Sequence, residues 1–368
     1  MRIIIVGAGL MGLATAWALV RAGHRPVLYE RGPAPNPLAS SFDRHRVIRY
    51  GYGPMHFYAV MVREAFEAWD ELWGDLGERH YVEAGQLATG PADDPWLAAS
   101  RRSLEMLGEP VEELCGAALA ARFPMIEPER TPHAWFTPHA GALLADRIVT
   151  GLTRHLVEKG VAIEGNREVV GLDQERGIVR FADGSHDQGD RVLVSAGVWI
   201  GRLLPELAPR LRPSRQVVVY VDPPADLDPA WRQGPVLTDV DSRAGSIFYT
   251  LPAVAGAGLK FGDHRFTLGG DPDEDRTPRP DEVAEVMALA GRRLRAPERY
   301  RVAEAKSCFY TVTEDERFVG ELQGRTLVLS ACSGHGFKFG AAIGRRTAKA
   351  LTGDLDIAAF RTWLAAKG

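Results

Sequence analysis

The sequence predicts an α/β fold in which a discontinuous domain with a parallel sheet carries an inserted, mostly antiparallel β domain. Three observations support this prediction. A buried apolar strand, a glycine-rich turn and a helix open the chain at residues 3–22. Apolar and polar residues alternate within residues 214–249, which is typical of half-buried antiparallel strands. A second apolar strand with a glycine-rich turn and a helix returns at residues 326–352.

The strand and turn at the start of the chain form the most specific motif. Residues 3–6 are continuously apolar, as in a parallel strand that is covered on both faces. Gly7, Gly9 and Gly12 follow with G-x-G-x-x-G spacing. In this motif the first glycine permits a tight turn and the second lets the backbone approach a pyrophosphate. The third lets the helix pack closely on the strand.

The elements after the turn complete a nucleotide-binding unit. A helix is predicted over residues 11–22, ending before Gly23, and a second strand over residues 26–29. This strand leads into Glu30, about 20 residues after the glycines, where a carboxylate can accept the hydroxyls of a ribose. The unit therefore predicts a Rossmann-like site for an adenine dinucleotide, and it leaves both NAD and FAD open.

The rest of the chain divides between the two domains. Residues 57–77 have an amphipathic helical pattern, and residues 191–197 form another buried strand that ends in small residues. Proline-rich loops interrupt the alternating region. We assign residues 1–80, 141–213 and 300–368 to the dinucleotide-binding domain, and residues 81–140 and 214–299 to the inserted substrate-binding domain.

Composition and charge exclude several classes of function. The 368 residues are 45% hydrophobic and 25% charged, with a net charge of -4. These values are ordinary for a globular protein and offer no attraction to nucleic acid or to a membrane surface. No apolar run reaches the length of a bilayer span, and the apolar start lacks the basic region of a signal peptide. Three scattered cysteines predict a cytoplasmic protein without a disulfide scaffold or a metal site.

Two segments are candidate anion sites, and the residues alone leave alternatives open for both. Residues 330–340 follow a strand and open a helix, whose N-terminus offers N–H groups and a positive dipole to a flavin. Lys338 within this segment either attracts a carboxylate or is a solvated lysine. The second segment is the loop of residues 40–49. Its Arg46 and Arg49 either form forked hydrogen bonds with a carboxylate or belong to a solvated basic loop.

Cys308 and Lys260 are equally ambiguous. Cys308 lies in an alternating stretch, and a lone cysteine is by default a buried structural residue. A reactive thiolate needs a cationic or other activating environment, which the sequence does not reveal. Lys260 lies among apolar and small residues. It is either partly buried, which is costly without a function, or it protects an edge strand from aggregation.

Taken in order, five motifs resemble the sarcosine oxidase branch of the D-amino-acid-oxidase-like flavoproteins. This branch includes monomeric sarcosine oxidase, N-methyltryptophan oxidase and pipecolate oxidase. The resemblance covers essentially the whole chain, and its last two motifs are the most specific to the branch. The motifs are the glycine turn at residues 7–12, the loop of residues 40–49, and segments 258–264, 306–310 and 333–338.

The resemblance implies FAD as the cofactor, joined covalently through its 8α-methyl group to the thiol of Cys308. It also places Arg46 beside the flavin ring. The cofactor-binding residues expected in this way are Gly7, Gly9, Leu10, Met11, Gly12, Glu30, Arg31, Ser40, Ser41, Arg46, Val169, Ala196, Gly197, Trp199, Cys308, Gly334, His335, Gly336, Phe337 and Lys338.

For the substrate, the resemblance implies that Arg49 and Lys338 hold a carboxylate. It implies that Lys260, near flavin N5, promotes the reaction with O₂, and it places three further residues at the substrate cavity, namely Tyr249, His264 and Tyr310. The expected catalytic residues are Arg46, Arg49, Tyr249, Lys260 and His264.

The reaction implied by the resemblance is the oxidation of a secondary amino acid, either N-methylated or cyclic. A hydride passes from the amine carbon to flavin N5, the imine product hydrolyses, and O₂ is reduced to hydrogen peroxide. The alternatives are a dehydrogenase with another acceptor, a D-amino-acid or glycine oxidase-like enzyme, a NAD-dependent dehydrogenase and a flavin-binding redox sensor without turnover. The expected partners are a small amino acid with a carboxylate and O₂, and we expect a monomer.

One departure from the family pattern lies in the loop of residues 40–49. Family members commonly have His-Gly where this chain has Phe42 and Asp43. Phe42 could pack on the flavin instead of the family histidine. The sequence alone does not show what this change does to flavin attachment or to substrate preference.

Overall fold

The structure is a computed structural model that describes residues 1–274 and 276–367. Its strands, in chain order, are β1 (Ile3–Val6), β2 (Val27–Tyr29), β3 (Arg46–Ile48), β4 (Tyr81–Glu83), β5 (Gln86–Gly90), β6 (Glu112–Leu114), β7 (His133–Thr137), β8 (Gly141–Leu143), β9 (Ala162–Glu164), β10 (Val169–Asp173), β11 (Ile178–Phe181), β12 (His186–Gln188), β13 (Arg191–Val194), β14 (Arg212–Asp222), β15 (Val236–Asp241), β16 (Ser246–Leu251), β17 (Leu259–Asp263), β18 (Arg301–Val312), β19 (Val319–Gln323) and β20 (Thr326–Ser330).

The α-helices are α1 (Leu10–Arg21), α2 (His56–Leu76), α3 (Pro95–Met106), α4 (Gly116–Arg122), α5 (Ala145–Glu158), α6 (Ile200–Leu203), α7 (Asp228–Arg232), α8 (Pro280–Ala290), α9 (Gly340–Thr352) and α10 (Ile357–Leu364). Short 3₁₀ turns cover Pro128–Arg130, Gly197–Trp199, Pro205–Leu207, Pro297–Arg299 and Phe337–Phe339. Within the described residues, no helix combines the length and the apolar character needed to cross a membrane.

A six-stranded sheet forms the dinucleotide-binding half, in the order β19-β20-β13-β1-β2-β9. All neighbouring strands are parallel except β19, which is antiparallel to β20. Ile3 and Ile5 pack into the core that contains α1, α5 and α9, whereas Ile4 and Val6 pack towards the sheet β10-β11-β12. Both faces of β1 are therefore covered, which explains why its sequence is continuously apolar.

The inserted half is an eight-stranded sheet in the order β18-β14-β17-β16-β15-β5-β7-β6. All its neighbouring strands are antiparallel except β5 and β15, which are parallel. Strand β17 lies between β14 and β16, so Lys260 occupies an interior strand. The interpretation of this lysine as a guard of an edge strand is therefore wrong. A second three-stranded sheet, β3-β8-β4, carries Arg46.

Strand β18 belongs to the eight-stranded, mostly antiparallel sheet and not to the six-stranded, mostly parallel one. The prediction placed residues 300–368 in the dinucleotide-binding domain, but β18 pairs along the whole of β14, from Arg212 opposite Val312 to Asp222 opposite Arg301. The first strand of that segment, residues 301–312, therefore pairs with the antiparallel sheet. The alternation within residues 306–310 revealed a strand, but its partner lies about 90 residues earlier and is invisible to local patterns.

Candidate active site

A cavity of about 370 Å³ lies at the carboxyl ends of β1, β2, β13 and β20. This edge is where open α/β sheets bind their ligands, and the volume is within the usual range for small-molecule sites. The residues predicted to bind the cofactor that line the cavity are Gly7, Gly9, Leu10, Met11, Glu30, Arg31, Ser40, Ser41, Arg46, Val169, Ala196, Gly197, Trp199, Gly334, Gly336 and Phe337.

The glycine turn has the geometry that its sequence motif requires. Gly7 has a φ of +101°, and a Cβ there would lie 2.6 Å from the carbonyl oxygen of Ser195. A Cβ on Gly12 would lie 2.0 Å from the carbonyl oxygen of Gly7, so α1 packs directly on the turn. A Cβ on Gly9 would meet only the Ser41 Oγ, at 3.5 Å. The backbone at Gly9 is thus open to the cavity at the positive end of the α1 dipole.

Glu30 is buried and held rigidly at the end of β2. Its Oε2 accepts a hydrogen bond from the Ala8 backbone N–H at 2.9 Å, and its Oε1 accepts one from Asn36 Nδ2, also at 2.9 Å. These bonds fix a carboxylate at the cavity wall, as expected for recognition of ribose hydroxyls. Asn36 also lines the cavity, and sequence reasoning missed it because it lies in an irregular proline-rich loop.

At the other end of the cavity, Arg46 belongs to a buried ionic cluster that we call the Asp43 cluster: Asp43, Arg46, Tyr220 and Lys260. Arg46 lines the cavity and forms an ion pair with Asp43, and its Nη2 donates to the carbonyl oxygen of Ser40 at 2.9 Å. Lys260 Nζ lies 2.9 Å from the Asp43 Oδ2. The interpretation of Arg46 as part of a solvated loop is therefore wrong.

The charges of the Asp43 cluster depend on one another. Burial by itself would raise the pKa of Asp43, but Arg46 and Lys260 hold it well below its ordinary value. Burial lowers the pKa of Lys260 to about 8, and Asp43 opposes this fall. Asp43 is therefore ionised and Lys260 largely protonated at neutral pH. Sequence reasoning noted Asp43 only as a departure from a family pattern.

A second pair of basic residues, the partly buried Arg49 and the buried Lys338, surrounds Tyr52. Lys338 Nζ donates to the Tyr52 hydroxyl at 2.8 Å, and the Arg49 guanidinium lies 5.4 Å from the centre of the Tyr52 ring. Arg49 Nη1 is buried and has no hydrogen-bond partner among the described residues. Burial lowers the pKa of both cations, and Arg49 lowers that of Lys338 further. A guanidinium with a free buried donor beside a lysine fits an anion, whose negative charge would also favour the protonated form of the lysine.

Three polar rings lie near these two groups of cations. The Tyr310 ring and the His264 ring both contact Gly334, since a Cβ there would lie 2.8 and 2.9 Å from them. His264 Nε2 lies 3.2 Å from the Oε2 of Glu316. Tyr249 packs its ring over Gly262 in the neighbouring strand. Tyr310 also lines the dinucleotide cavity and so connects it with the predicted substrate side.

Several predicted site residues do not line the dinucleotide cavity, namely Gly12, Arg49, Tyr249, Lys260, His264, Cys308, His335 and Lys338. Gly12 instead packs on the turn, and His335 is buried among Tyr52, Tyr58 and Phe318, with its Nε2 2.9 Å from the carbonyl oxygen of Glu316. Its aromatic surroundings come from distant segments, so the glycine-rich motif could not reveal them.

The cysteines differ in their relation to the cavity. Cys332 lines it, whereas Cys308 lies on β18, opposite Gln216 of β14. Burial raises the pKa of Cys308 to about 11, and the nearby Arg46 only partly offsets this rise. Phe42 is partly buried against the main hydrophobic core and does not line the cavity. Among the described residues, no group of three or more His, Cys, Asp or Glu side chains could hold a metal ion.

A cavity at this edge of the sheet, lined by the glycine turn, Glu30 and Arg46, is the arrangement expected of an oxidoreductase that binds a dinucleotide. The family comparison agrees. A sequence model of the DAO family, described as FAD dependent oxidoreductase, matches residues 2–350. The chain belongs to this family, and its cofactor is FAD.

Two enzymes illustrate the relatives of the chain. It is 28% identical to monomeric sarcosine oxidase from Bacillus sp. (strain B-0618), and the match covers 97% of this chain and 94% of that enzyme. It is 30% identical to N-methyl-L-tryptophan oxidase from Citrobacter koseri, and the match covers 93% of this chain and 92% of that enzyme. Both alignments extend over both halves of the fold.

Solved structures with the same fold include NikD, an unusual amino acid oxidase essential for nikkomycin biosynthesis, in its open form. The TM-score is 0.82 at 18% identity, covering 98% of this chain and 96% of NikD. Glycine oxidase from Geobacillus kaustophilus gives a TM-score of 0.79 at 20% identity, covering 98% of both chains. These likenesses show that the fold class predicted from the sequence is correct.

The residues present fit FAD. The open backbone at Gly9 and the start of α1 can hold its pyrophosphate, and the fixed carboxylate of Glu30 can accept its ribose hydroxyls. Arg46 supplies a cation at the far end of the cavity, where the pyrimidine part of a flavin becomes more negative on reduction. Gly336 and Phe337 close that end ahead of α9.

Proposed function

We propose that the protein is an FAD-dependent oxidase of a secondary amino acid, with O₂ as the electron acceptor. The observation that carries this proposal is the pair of basic residues, Arg49 and Lys338, around Tyr52, close to the dinucleotide cavity. A redox sensor without turnover has no need of such a site. The relatives named for sarcosine and N-methyl-L-tryptophan support the choice of a secondary amine.

In the proposed reaction, Arg49 and Lys338 bind the substrate carboxylate and so orient the amine carbon. Burial and the neighbouring cations disfavour the protonated amine, so no strong general base is required. Tyr249, His264 and Tyr310 form the walls that exclude water from the substrate. When bound, FAD accepts a hydride equivalent from the amine carbon and passes the electrons to the acceptor.

A panel of candidate substrates tests this proposal. Sarcosine, other N-methyl amino acids, pipecolate and proline are mixed anaerobically with the purified enzyme, and loss of the flavin absorbance is followed. We expect bleaching by one or more of them, and hydrogen peroxide after air is admitted. Bleaching only by glycine or D-amino acids would favour the glycine oxidase-like alternative. No bleaching by any amine would favour a sensor.

We also propose that the FAD is attached covalently to the thiol of Cys308. In acid-precipitated wild-type protein we expect the yellow colour to stay with the pellet, and in the Cys308→Ser variant to enter the supernatant. Cys332→Ser is the matched control and should keep its colour in the pellet. The opposite pattern would identify Cys332, which lines the cavity, as the point of attachment.

Lys260→Met tests O₂ as the acceptor. Lys260 is proposed to stabilise the negative charge that develops on O₂ as it is reduced. Loss of this fixed cation should slow oxidation of the reduced enzyme by O₂ about 100-fold. Anaerobic reduction by the substrate should change little. Lys306→Met is the control, because this lysine lies on β18 of the same sheet but pairs with Glu304, and its side chain is 42% exposed. An unchanged O₂ rate in Lys260→Met would contradict the role assigned to Lys260.

A dehydrogenase with another acceptor is the second candidate, and one observation favours it. Lys260 is not a free cation, because it forms an ion pair with Asp43 that reduces its net field. Under this alternative the reduced enzyme would react with O₂ slowly and with a quinone or an artificial acceptor quickly. Stopped-flow mixing of the reduced enzyme with each acceptor separates the two functions.

A further inference from the structure

We infer that Asp43 is a positioning residue of the reaction centre: it fixes the Lys260 ammonium and the Arg46 guanidinium of the cavity wall, and it keeps the lysine charged. This inference rests on the proposed function, since it concerns how Lys260 acts on the acceptor. Asp43 itself is not assigned contact with the substrate or the cofactor.

The contacts of the Asp43 carboxylate support this role. Three side chains donate to it, which nearly fills its capacity as an acceptor. Arg46 and Lys260 both donate to Oδ2, and the Tyr220 hydroxyl donates to Oδ1. Lys260 completes its bonds with the carbonyl oxygen of His45. The Asp43 side chain is 5% exposed and that of Lys260 is 1% exposed, so solvent cannot substitute for either partner.

The burial of the cluster explains why the carboxylate matters. Without Asp43, the buried Lys260 ammonium would face the Arg46 guanidinium with no opposite charge between them. Isolated buried charges are strongly destabilised, and a buried lysine responds by losing its proton. Asp43 thus makes it possible for a fixed ammonium to exist there at neutral pH. An interaction made only to stabilise the fold would not need to preserve that charge.

The groups that face Lys260 determine what a pH titration can detect. Burial lowers the pKa of His45 well below its ordinary value and raises those of Tyr220 and Cys308, so none of the three changes charge near pH 8. Lys338 belongs to the separate cluster around Tyr52. A spectral transition that arose from Lys338 would persist in a Lys260 variant, whereas one that arose from Lys260 would disappear. The charged and titratable groups around Lys260 include Asp43, His45, Arg46, Tyr220 and Cys308, and Arg44 and Lys306 lie over the Tyr220 ring.

The test compares Asp43→Asn with the wild-type holoenzyme over a pH range. The amide is isosteric and can still accept from Tyr220, but it lacks the negative charge. The absorbance spectrum of the oxidised flavin is recorded against pH, without substrate or acceptor. We expect a transition near pH 8 in the wild type. In Asp43→Asn its midpoint should fall by about one to three pH units, the effect of losing a close opposite charge.

The rate of oxidation by O₂ should follow the same titration. The ammonium is present below the pKa of Lys260 and is lost as the pH rises through it, so the rate should fall around pH 8 in the wild type. In Asp43→Asn the fall should occur at the lower midpoint, and acidification should restore the rate. A purely structural role for Asp43 would lower the rate equally at every pH.

Two further variants control the interpretation. Tyr220→Phe removes one hydrogen bond to Asp43 but leaves both ion pairs, so its midpoint should stay within about half a pH unit of the wild type. Asp43→Asn/Lys260→Met removes both partners of the ion pair and should show no transition. If Asp43→Asn does not fold, Asp43→Glu takes its place, and a longer carboxylate should keep a midpoint above pH 7.

An unshifted midpoint in Asp43→Asn, or a transition that persists in Lys260→Met, would overturn the inference. The spectral titration requires no turnover, so its result is independent of the proposed function. If no amine bleaches the flavin but the midpoint shifts, the proposed function fails and the inference stands. If sarcosine or another amine is oxidised but the midpoint does not move, the proposed function stands and the inference fails.

Discussion

Replacing Arg49 by glutamine is expected to lower kcat/KM for an amino-acid substrate by about 100- to 1000-fold, which corresponds to the loss of one buried charge-paired hydrogen bond. Arg49 Nη1 is buried and has no partner within residues 1–274 and 276–367, so its interaction with a carboxylate would not be replaced by water. The effect should appear largely in substrate binding, measured as the concentration dependence of anaerobic flavin reduction. A change confined to the maximum rate would contradict the role of Arg49 in binding.

Two controls make the Arg49 experiment specific. Arg63→Gln, at an exposed arginine on α2 that donates to the carbonyl oxygen of Leu107, should leave kcat/KM within about twofold of the wild type. A secondary amine without a carboxylate should react poorly with the wild type and should lose little more in Arg49→Gln. An equal loss for both substrates would show that Arg49 supports the fold and does not recognise the carboxylate.

Replacing Gly12 by alanine is expected to have the largest effect on stability. The new Cβ would lie 2.0 Å from the carbonyl oxygen of Gly7 and 3.2 Å from its carbonyl carbon. Both are backbone atoms of a tight turn, so α1 must move away from β1. We expect a loss of about 3 kcal/mol or more and little bound FAD, because the same turn holds the cofactor. Thermal unfolding and the flavin content per chain measure both effects.

Gly74→Ala is the matched control for Gly12→Ala. Gly74 lies within α2, and a Cβ there would meet nothing within 4 Å. Alanine is the better helix former, so this variant should be as stable as the wild type or more stable by up to about 1 kcal/mol. If Gly12→Ala bound FAD fully and unfolded at the wild-type temperature, the packing assigned to this glycine would be incorrect.

The dinucleotide-binding half was predicted well because its signals are local. A strand, a turn with three spaced glycines and a helix occupy fewer than about 20 consecutive residues, and each glycine has a physical reason that the backbone confirms at Gly7 and Gly12. Helix α2 was also predicted to within one residue at each end, since its apolar face repeats regularly.

The candidate substrate side was predicted less completely. The cationic residues were noticed in the sequence and received their roles from a family resemblance, whereas Tyr52, Asp43 and Tyr220, which hold them, were not assigned roles. Tyr52 connects Arg49 to Lys338, almost 290 residues further along the chain. No periodicity or spacing links residues at such a separation, and a tyrosine in a loop is unremarkable in a sequence. The roles of the predicted site residues remain predictions until the variants are measured.

By itself, the sequence determined the α/β class, the adenine-dinucleotide motif and the types of residue available for chemistry, because each depends on neighbours within a few turns or strands. Only the tertiary structure decided that β18 joins the antiparallel sheet and that Lys260 is an interior, ion-paired cation. Both outcomes depend on pairing between distant segments. The burial of Asp43 with two cations follows from that pairing, since a charge is kept in a dry interior only where the fold brings an opposite charge to it.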